Sequence, residues 1–197
     1  MLCTAIVEGD IDECRRLLTE GADPNEKSKF RIPVLAIAVT LDQPKCTQAL
    51  LQAAADPNIL DAKATTVLSS ACDAGRTECV SALLDASANI GLVSGPERRT
   101  ALHNSCRNGR SLQCLPLLLA AGSGLDAGIL DLTDGSGATA LGLAARNGHA
   151  DAVRRLLTAR ADATLRWRSD DALALARQSE NEQCVKLLLR EAEARRE

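Results

Sequence analysis

His103 and Cys106 stand three residues apart, and Cys114 follows eight residues later. On a helix the first two share a face, and a third soft ligand brought alongside would begin a zinc site. Such a site needs about four ligands in paired spacing, and the only other histidine is His149. Two glycine strings, "GSGLDA" at Gly122–Ala127 and "GSGATA" at Gly135–Ala140, imitate a dinucleotide loop. That loop needs a strand before it and a helix after it. The first string follows the helical run "LPLLLAA", and the second sits in a turn. No G-x-x-x-x-G-K-S/T, H-E-x-x-H or G-x-S-x-G occurs. Both histidines fall at positions that the repeat described below explains, so no nucleophile–base pair remains. The sequence predicts no enzyme, no metal site and no cofactor.

The chain has 197 residues, a formal net charge of −3 and 46% hydrophobic residues. That composition supports a buried core but gives no overall attraction to nucleic acid or to an anionic membrane. Phe30 and Trp167 are the only aromatic residues, which excludes stacking platforms for single-stranded nucleic acid. The N-terminal "MLCTAIVEGDIDE" carries Glu8 and Asp10 and has no basic n-region, unlike a secretory signal. The longest apolar run, near "CLPLLLAAG", is too short to span a bilayer. A soluble cytoplasmic protein is expected, with the nucleus as a further location.

Six anchor positions organise the chain: Gly9, Asp42, Gly75, Gly109, Gly148 and Glu180, spaced by 33, 33, 34, 39 and 32 residues. Seven residues before each lies a leucine: Leu2, Leu35, Leu68, Leu102, Leu141 and Leu173. A small residue lies four before each, and a leucine pair eight and nine after, from Leu17-Leu18 to Leu188-Leu189. Each unit reads as two short helices. In the third, Leu68 and Ala71 make one stripe, and Val80, Leu83 and Leu84 make the other. Helices this short do not stand alone in water, so each must bury its stripe against its partner and the next unit. A thin stack of this kind leaves little room for rings, which explains the scarcity of aromatics.

The cysteines occupy slots of the same frame. Cys14 and Cys114 fall five after their anchors, at the position of Val80 and Val153. Cys46, Cys79 and Cys184 fall four after theirs, and Cys72 and Cys106 three before. Equivalent slots in neighbouring units are expected ~8–10 Å apart, beyond disulfide reach. Cys72 with Cys79, or Cys106 with Cys114, could approach across one helix pair. Reduced core thiols are expected, with a thiol-based redox-sensing scaffold as the alternative.

The segment "DGSGATALGLAARNGHADAVRRLLTARADA", Asp134–Ala163, resembles the ankyrin repeat. The resemblance rests on the turn at Asp134 and Gly137, the Thr139-Ala140-Leu141 opening, the Ala144-Ala145 pair and Gly148-His149. "RRTALHNSCRNG" in the fourth unit places His103 at the family's histidine, and "GADPN" and "AADPN" match a unit's end. The resemblance implies an all-α repeat fold: an ankyrin solenoid of stacked helix-turn-helix units with hairpin-like fingers and a concave binding face. The units are 1–31 (a truncated N-terminal cap), 32–64, 65–98, 99–137 with an extended finger, 138–169 and 170–197 (the C-terminal cap). Ala54, Ser87 and Arg160 stand where the family usually has a left-handed glycine. The second unit lacks the family turn at "VTLDQPKC", and the tail beyond Arg190 is expected to fray. In the extended finger, 122–137, the apolar Ile129, Leu130 and Leu132 either pack back on the stack or form a sticky loop.

The resemblance implies non-catalytic protein binding, as a scaffold or adaptor that is monomeric on its own. Phe30 and Trp167 fall at finger tips, where each ring either meets a partner or folds onto the next finger as a lid. The remaining candidate contacts are Arg31, Lys63, Arg99, Arg107, Arg146 and Arg168; this basic set on a net acidic chain suggests a partner with acidic patches. Asn25 and Asn58 stand where asparagines of ankyrin proteins can be hydroxylated, with a turn-forming role as the alternative. The abrupt start at Leu2 raises a further alternative, the regulatory arm of a larger enzyme or membrane protein.

Overall fold

A computed structural model describes residues 1–121 and 127–195. Two helices follow each other in every unit. The inner row is α1 (Leu2–Glu8), α3 (Val34–Thr40), α5 (Val67–Ala74), α7 (Ala101–Ser105), α10 (Ala140–Arg146) and α12 (Ala172–Gln178). The outer row is α2 (Ile11–Thr19), α4 (Pro44–Gln52), α6 (Thr77–Asp85), α8 (Leu115–Ala121), α11 (Ala150–Thr158) and α13 (Glu182–Ala194). A short α9 (Ala127–Leu130) lies in the extended finger, and a 3-10 turn, Ser111–Cys114, precedes α8. Inner helices pack on inner helices and outer on outer, so the molecule is an all-α solenoid with one continuous core from Leu2 to Leu188.

Local chemistry starts the helices. Thr66, Thr100, Thr139 and Asp171 cap α5, α7, α10 and α12 by accepting a backbone N–H from the first turn. Asp10 and Asn181 do the same for α2 and α13, and Pro44 opens α4. Such caps contribute ~1 kcal/mol each to helices too short to stand alone. The recurring leucines before the anchors are fully buried in the first five units, and Leu173 is half-buried against the core. The largest fully buried side chains are leucines and Ile6.

The anchors are left-handed turns. Gly9, Asp42, Gly75, Gly148 and Glu180 have φ between 53° and 73°. Asp42 therefore makes the turn that its sequence context lacks, using an aspartate, which tolerates this region. Gly109 does not have positive φ, because one extra residue in the fourth unit is absorbed by the 3-10 turn. The register after it shifts by one. Leu115 and Leu118 take the core places of Val80 and Leu83, and Cys114 corresponds to Cys79 rather than to Val80. The second left-handed set is Gly21, Ala54, Ser87 and Arg160, after the outer helices. Ala54, Ser87 and Arg160 do keep positive φ, with the strain that implies for a side-chain-bearing residue.

One further expectation changes, and one alternative is decided. The tail does not fray at Arg190: α13 runs to Ala194, and Arg195 bonds Asp162 and the Ala161 carbonyl of the fifth unit. In the extended finger, Leu130 is buried and Ile129 lies over Gly91, so this described portion packs back. Residues 122–126, including most of the first glycine string, lie outside the described residues. Between the fourth and fifth units the stacking loosens. There α8 and α11 scarcely touch, and a groove of about 500 Å3 lined by Leu119, Asp151 and Arg154 opens between them.

Glycines at the two left-handed sets differ in surroundings. A methyl group at Gly75 would lie 2.7 Å from the Arg110 carbonyl oxygen, while nothing lies within 4 Å of one at Gly21. Gly75→Ala is expected to lower stability by about 3 kcal/mol, from turn strain plus overlap, and Gly21→Ala by about 1 kcal/mol. Arg160→Gly is expected to raise it by up to ~1 kcal/mol. Urea unfolding of the three variants checks the order.

Candidate functional site

The fingers are hairpins closed by single bridges: Lys27 with Pro33, Leu60 with Thr66, Ser94 with Arg99, Thr133 with Thr139, and Trp167 with Asp170. Side-chain oxygens shape them. Asp61 accepts the backbone N–H of Lys63 (2.8 Å) and Thr65 (3.0 Å), and also the Ser70 hydroxyl. Asp134 accepts the N–H of Ser136 (2.8 Å) and Ala138 (3.1 Å). Burial works to raise the Asp134 carboxyl, but the Ser136 and Ala138 hydrogen bonds outweigh it and hold the group below its usual range. A left-handed residue ends each turn: Arg31, Ala64, Arg98, Gly137 and Arg168. Adjacent fingers also bond each other, Gly95 N–H to Ala64 (2.9 Å) and Gly135 N–H to Glu97 (2.8 Å). The result is a ledge above the inner helices rather than a row of separate loops.

Under this ledge, between the second and fourth units, lies a hollow of about 400 Å3. Its charged lining is Lys63, Arg76, Arg99 and Arg107 against Asp73 and Glu97. Arg107 grips Asp73 at 2.6 Å, and Arg99 reaches the buried Asp134 at 3.4 Å. The half-buried Arg76 donates to the Val39 carbonyl. Among the described residues, neither Arg76 nor the exposed Lys63 has a carboxylate partner. The hollow therefore keeps a positive surplus that its own acids do not neutralise. Arg76 follows an anchor glycine and belongs to neither the finger nor the inner-helix positions, so no periodic signal in the sequence marks it.

The two aromatics behave differently. Trp167 folds onto the neighbouring finger: its Nε1 donates to the Ser136 carbonyl at 3.0 Å, and the Arg146 guanidinium lies 4.7 Å from its ring centre. Arg146 is thereby engaged as a cation over an aromatic face. Phe30 is 73% exposed, with the Lys29 ammonium 5.1 Å from its ring. Arg31 and Arg168 are exposed at left-handed tips. The structure thus gathers Lys63, Arg99 and Arg107 at one hollow, and Arg146 with Trp167 two fingers further on. Phe30 and Arg31 lie at the N-terminal end and Arg168 at the C-terminal end.

A family profile described as "Ankyrin repeats (3 copies)" matches residues 1–94, 35–128 and 102–197. The chain is an ankyrin-repeat protein. The ankyrin repeat domain of Bcl-3, a member of the IkappaB protein family, is 27% identical with a TM-score of 0.83, over 96% of this chain and 85% of that one. The human ASB11 ankyrin repeat domain is 25% identical with a TM-score of 0.76, over 96% and 82%. An ankyrin repeat domain from Acinetobacter baumannii shares the fold at 23% identity and a TM-score of 0.87, over 97% of each chain. No curated protein sequence matches the chain. Ankyrin arrays are in general interaction modules that bind proteins without catalysis.

The residues with chemical potential serve the ankyrin stack. His103 is buried; its Nδ1 accepts from Thr100 (hydroxyl 2.8 Å, N–H 3.2 Å) and its Nε2 donates to the Ala138 carbonyl at 3.0 Å. Both nitrogens are occupied by the cap and by the next finger. His149 makes no capping bond, and its Nε2 is buried without a hydrogen-bond partner. Asn25 and Asn58 do not bond only their own turns: their Oδ1 atoms accept the N–H of Asp56 and Asn89 in the following unit, both at 2.8 Å. Asp131 repeats this contact with Asp162.

Seven of the eight cysteines are buried and all are free. The thiols that influence each other join neighbouring units: Cys14 lies beside Cys46, and Cys72 beside Cys114. Burial pushes Cys14 and Cys79 up to about 11 and Cys106 up to about 12. The neighbouring Cys72 thiol lowers Cys114. Raised, buried thiols are poor nucleophiles. Titration of the folded protein with a disulfide reagent is expected to label Cys3 quickly, with the seven others reacting only after denaturant is added.

Burial lowers both histidines below 6.5. The unfolded chain therefore takes up protons that the folded chain refuses. This contribution to stability is complete above pH 6.5 and is lost as the pH falls from there toward the folded values. The unfolding free energy from urea titrations across this window is expected to fall, by at most about 1.4 kcal/mol per pH unit for each proton. His103→Gln, which retains a donor for Ala138, is expected to show a shallower fall.

Proposed function

We propose that this ankyrin array is a non-catalytic adaptor or scaffold that holds a protein partner bearing acidic patches against its concave face and fingers. The observation that carries the reading is the hollow beneath the ledge, where Lys63 and half-buried Arg76 lack carboxylate partners. A half-buried cation without a counter-charge gains from a partner that supplies one. Phe30 adds an exposed ring of the kind that anchors interfaces. The fold class supplies the expectation of protein binding, and the charge distribution supplies its sign. No catalytic role is assigned, since both nitrogens of His103 are occupied by Thr100 and by the Ala138 carbonyl. The reading includes a monomeric chain in the cytoplasm or nucleus, in keeping with eight free thiols.

Capture of partners from host extract tests the proposal. Protein retained by the native chain is expected to be lost with Phe30→Ala and with Arg107→Ala combined with Arg146→Ala and Arg168→Ala, and its retention should weaken as salt rises. Arg154→Ala on the outer face should leave retention unchanged. Equal retention by all variants would remove the concave face from the proposal.

A further inference from the structure

Moving the concave hollow by one repeat toward the N-terminus places larger apolar residues at several of its lining positions. At the 33-residue spacing, Lys63 corresponds to Phe30, Thr65 to Ile32, Ser70 to Ile37, Ala74 to Leu41 and Thr40 to Val7. These five replacements are apolar, while Asp73 corresponds to Thr40 and Arg76 to Gln43, which removes the charge but not the polarity. Val7, Phe30 and Leu41 are exposed, and Ile32 and Ile37 lie half-buried beneath them against the core. Large apolar side chains exposed at equivalent concave positions of neighbouring units point to a surface that something covers. The adjoining hollow offers the opposite chemistry. Arg99 and Arg107 already hold Asp134 and Asp73, which leaves Lys63 and Arg76 to be answered from outside.

The spacing of the two sites selects the occupant. Packed helices of neighbouring units lie ~8–10 Å apart. An extended chain of polyproline-II type rises ~3.1 Å per residue and presents the same face every three residues, a repeat of ~9 Å. We propose that the hollow and the exposed apolar residues one repeat away take side chains of one extended segment of the protein partner. A bulky apolar residue rests on Val7, Phe30 and Leu41, and an aspartate or glutamate about three residues away sits between Lys63 and Arg76. Asp73 and Glu97 at the same hollow favour a singly charged carboxylate over a phosphate group. The inference rests on the adaptor reading above and narrows it to one class of recognition segment.

Selection of a random-peptide phage library on the purified chain is the first test. Enriched peptides are expected to pair Phe, Leu, Ile, Met or Trp with Asp or Glu about three residues away. A synthetic copy of one such peptide, followed by fluorescence anisotropy, should bind about tenfold more weakly to Phe30→Ala and to Lys63→Glu. Both positions are exposed, and thermal melts verify that the variants stay folded. Changing the peptide's acidic residue to Gln or Asn should erase the effect of Lys63→Glu but not that of Phe30→Ala.

Enriched peptides without this pairing, or no enrichment at all, would overturn the inference. Tighter binding of a phosphoserine peptide than of its glutamate form would overturn the carboxylate assignment. A dimer seen by light scattering that Phe30→Ala dissociates would give the apolar residues to a second copy of this chain. A captured protein that needs the concave face but carries no such pairing would leave the adaptor reading standing and sink this one.

Discussion

Neither helix of a unit can bury its leucine stripe by itself, so each unit depends on its neighbours for an interior. Every other feature follows from that dependence. The units must meet closely, which selects alanine, cysteine and glycine over rings in the core. They must also satisfy the backbone groups that close approach leaves stranded. The chain meets this second need with side chains that cross from one unit to another. Gln113 and Asn181 donate to the carbonyls of Gly75 and Gly148, the turns of the preceding units. Asn25, Asn58 and Asp131 accept from the following unit. His103 ties its own cap to the next finger. The apolar stripes supply the attraction, and these polar ties fix the register.

The same ties hold the binding face in place. Because the second, third and fourth fingers bond one another through the backbone, the ledge is positioned by the stack beneath it. Asp61 and Asp134 shape two fingers from within, and Asp134 also reaches Arg99 in the hollow. One group thus serves both the turn and the electrostatics of the face. Rigid placement matters for recognition because less ordering is left to be done on contact.

The repeat frame was legible because it is periodic: the leucines, the left-handed positions and the finger tips recur at near-constant spacing. Ala54, Ser87 and Arg160 could be assigned to strained turns from position alone, and they occupy them. What the pattern misplaced was aperiodic. One extra residue after Gly109 disappears into a 3-10 turn and shifts Cys114 and the following leucines by a position. The inward reach of Arg76, the bond from Trp167 to Ser136 and the pairing of Cys72 with Cys114 depend on side-chain direction across units. Linear spacing carries no record of that direction. The tail's helix was missed for a similar reason: its polar residues resemble a frayed end, but Arg195 finds Asp162 only in three dimensions.

The groove between α8 and α11 leaves the outer side of the fourth junction thinly filled. On the inner side the same junction is tied by His103 to Ala138 and by Asn147 to the Cys106 and Arg107 carbonyls. A stack held by nearest-neighbour contacts can thus relax its packing on the convex side while polar ties on the concave side keep its inner surface unbroken.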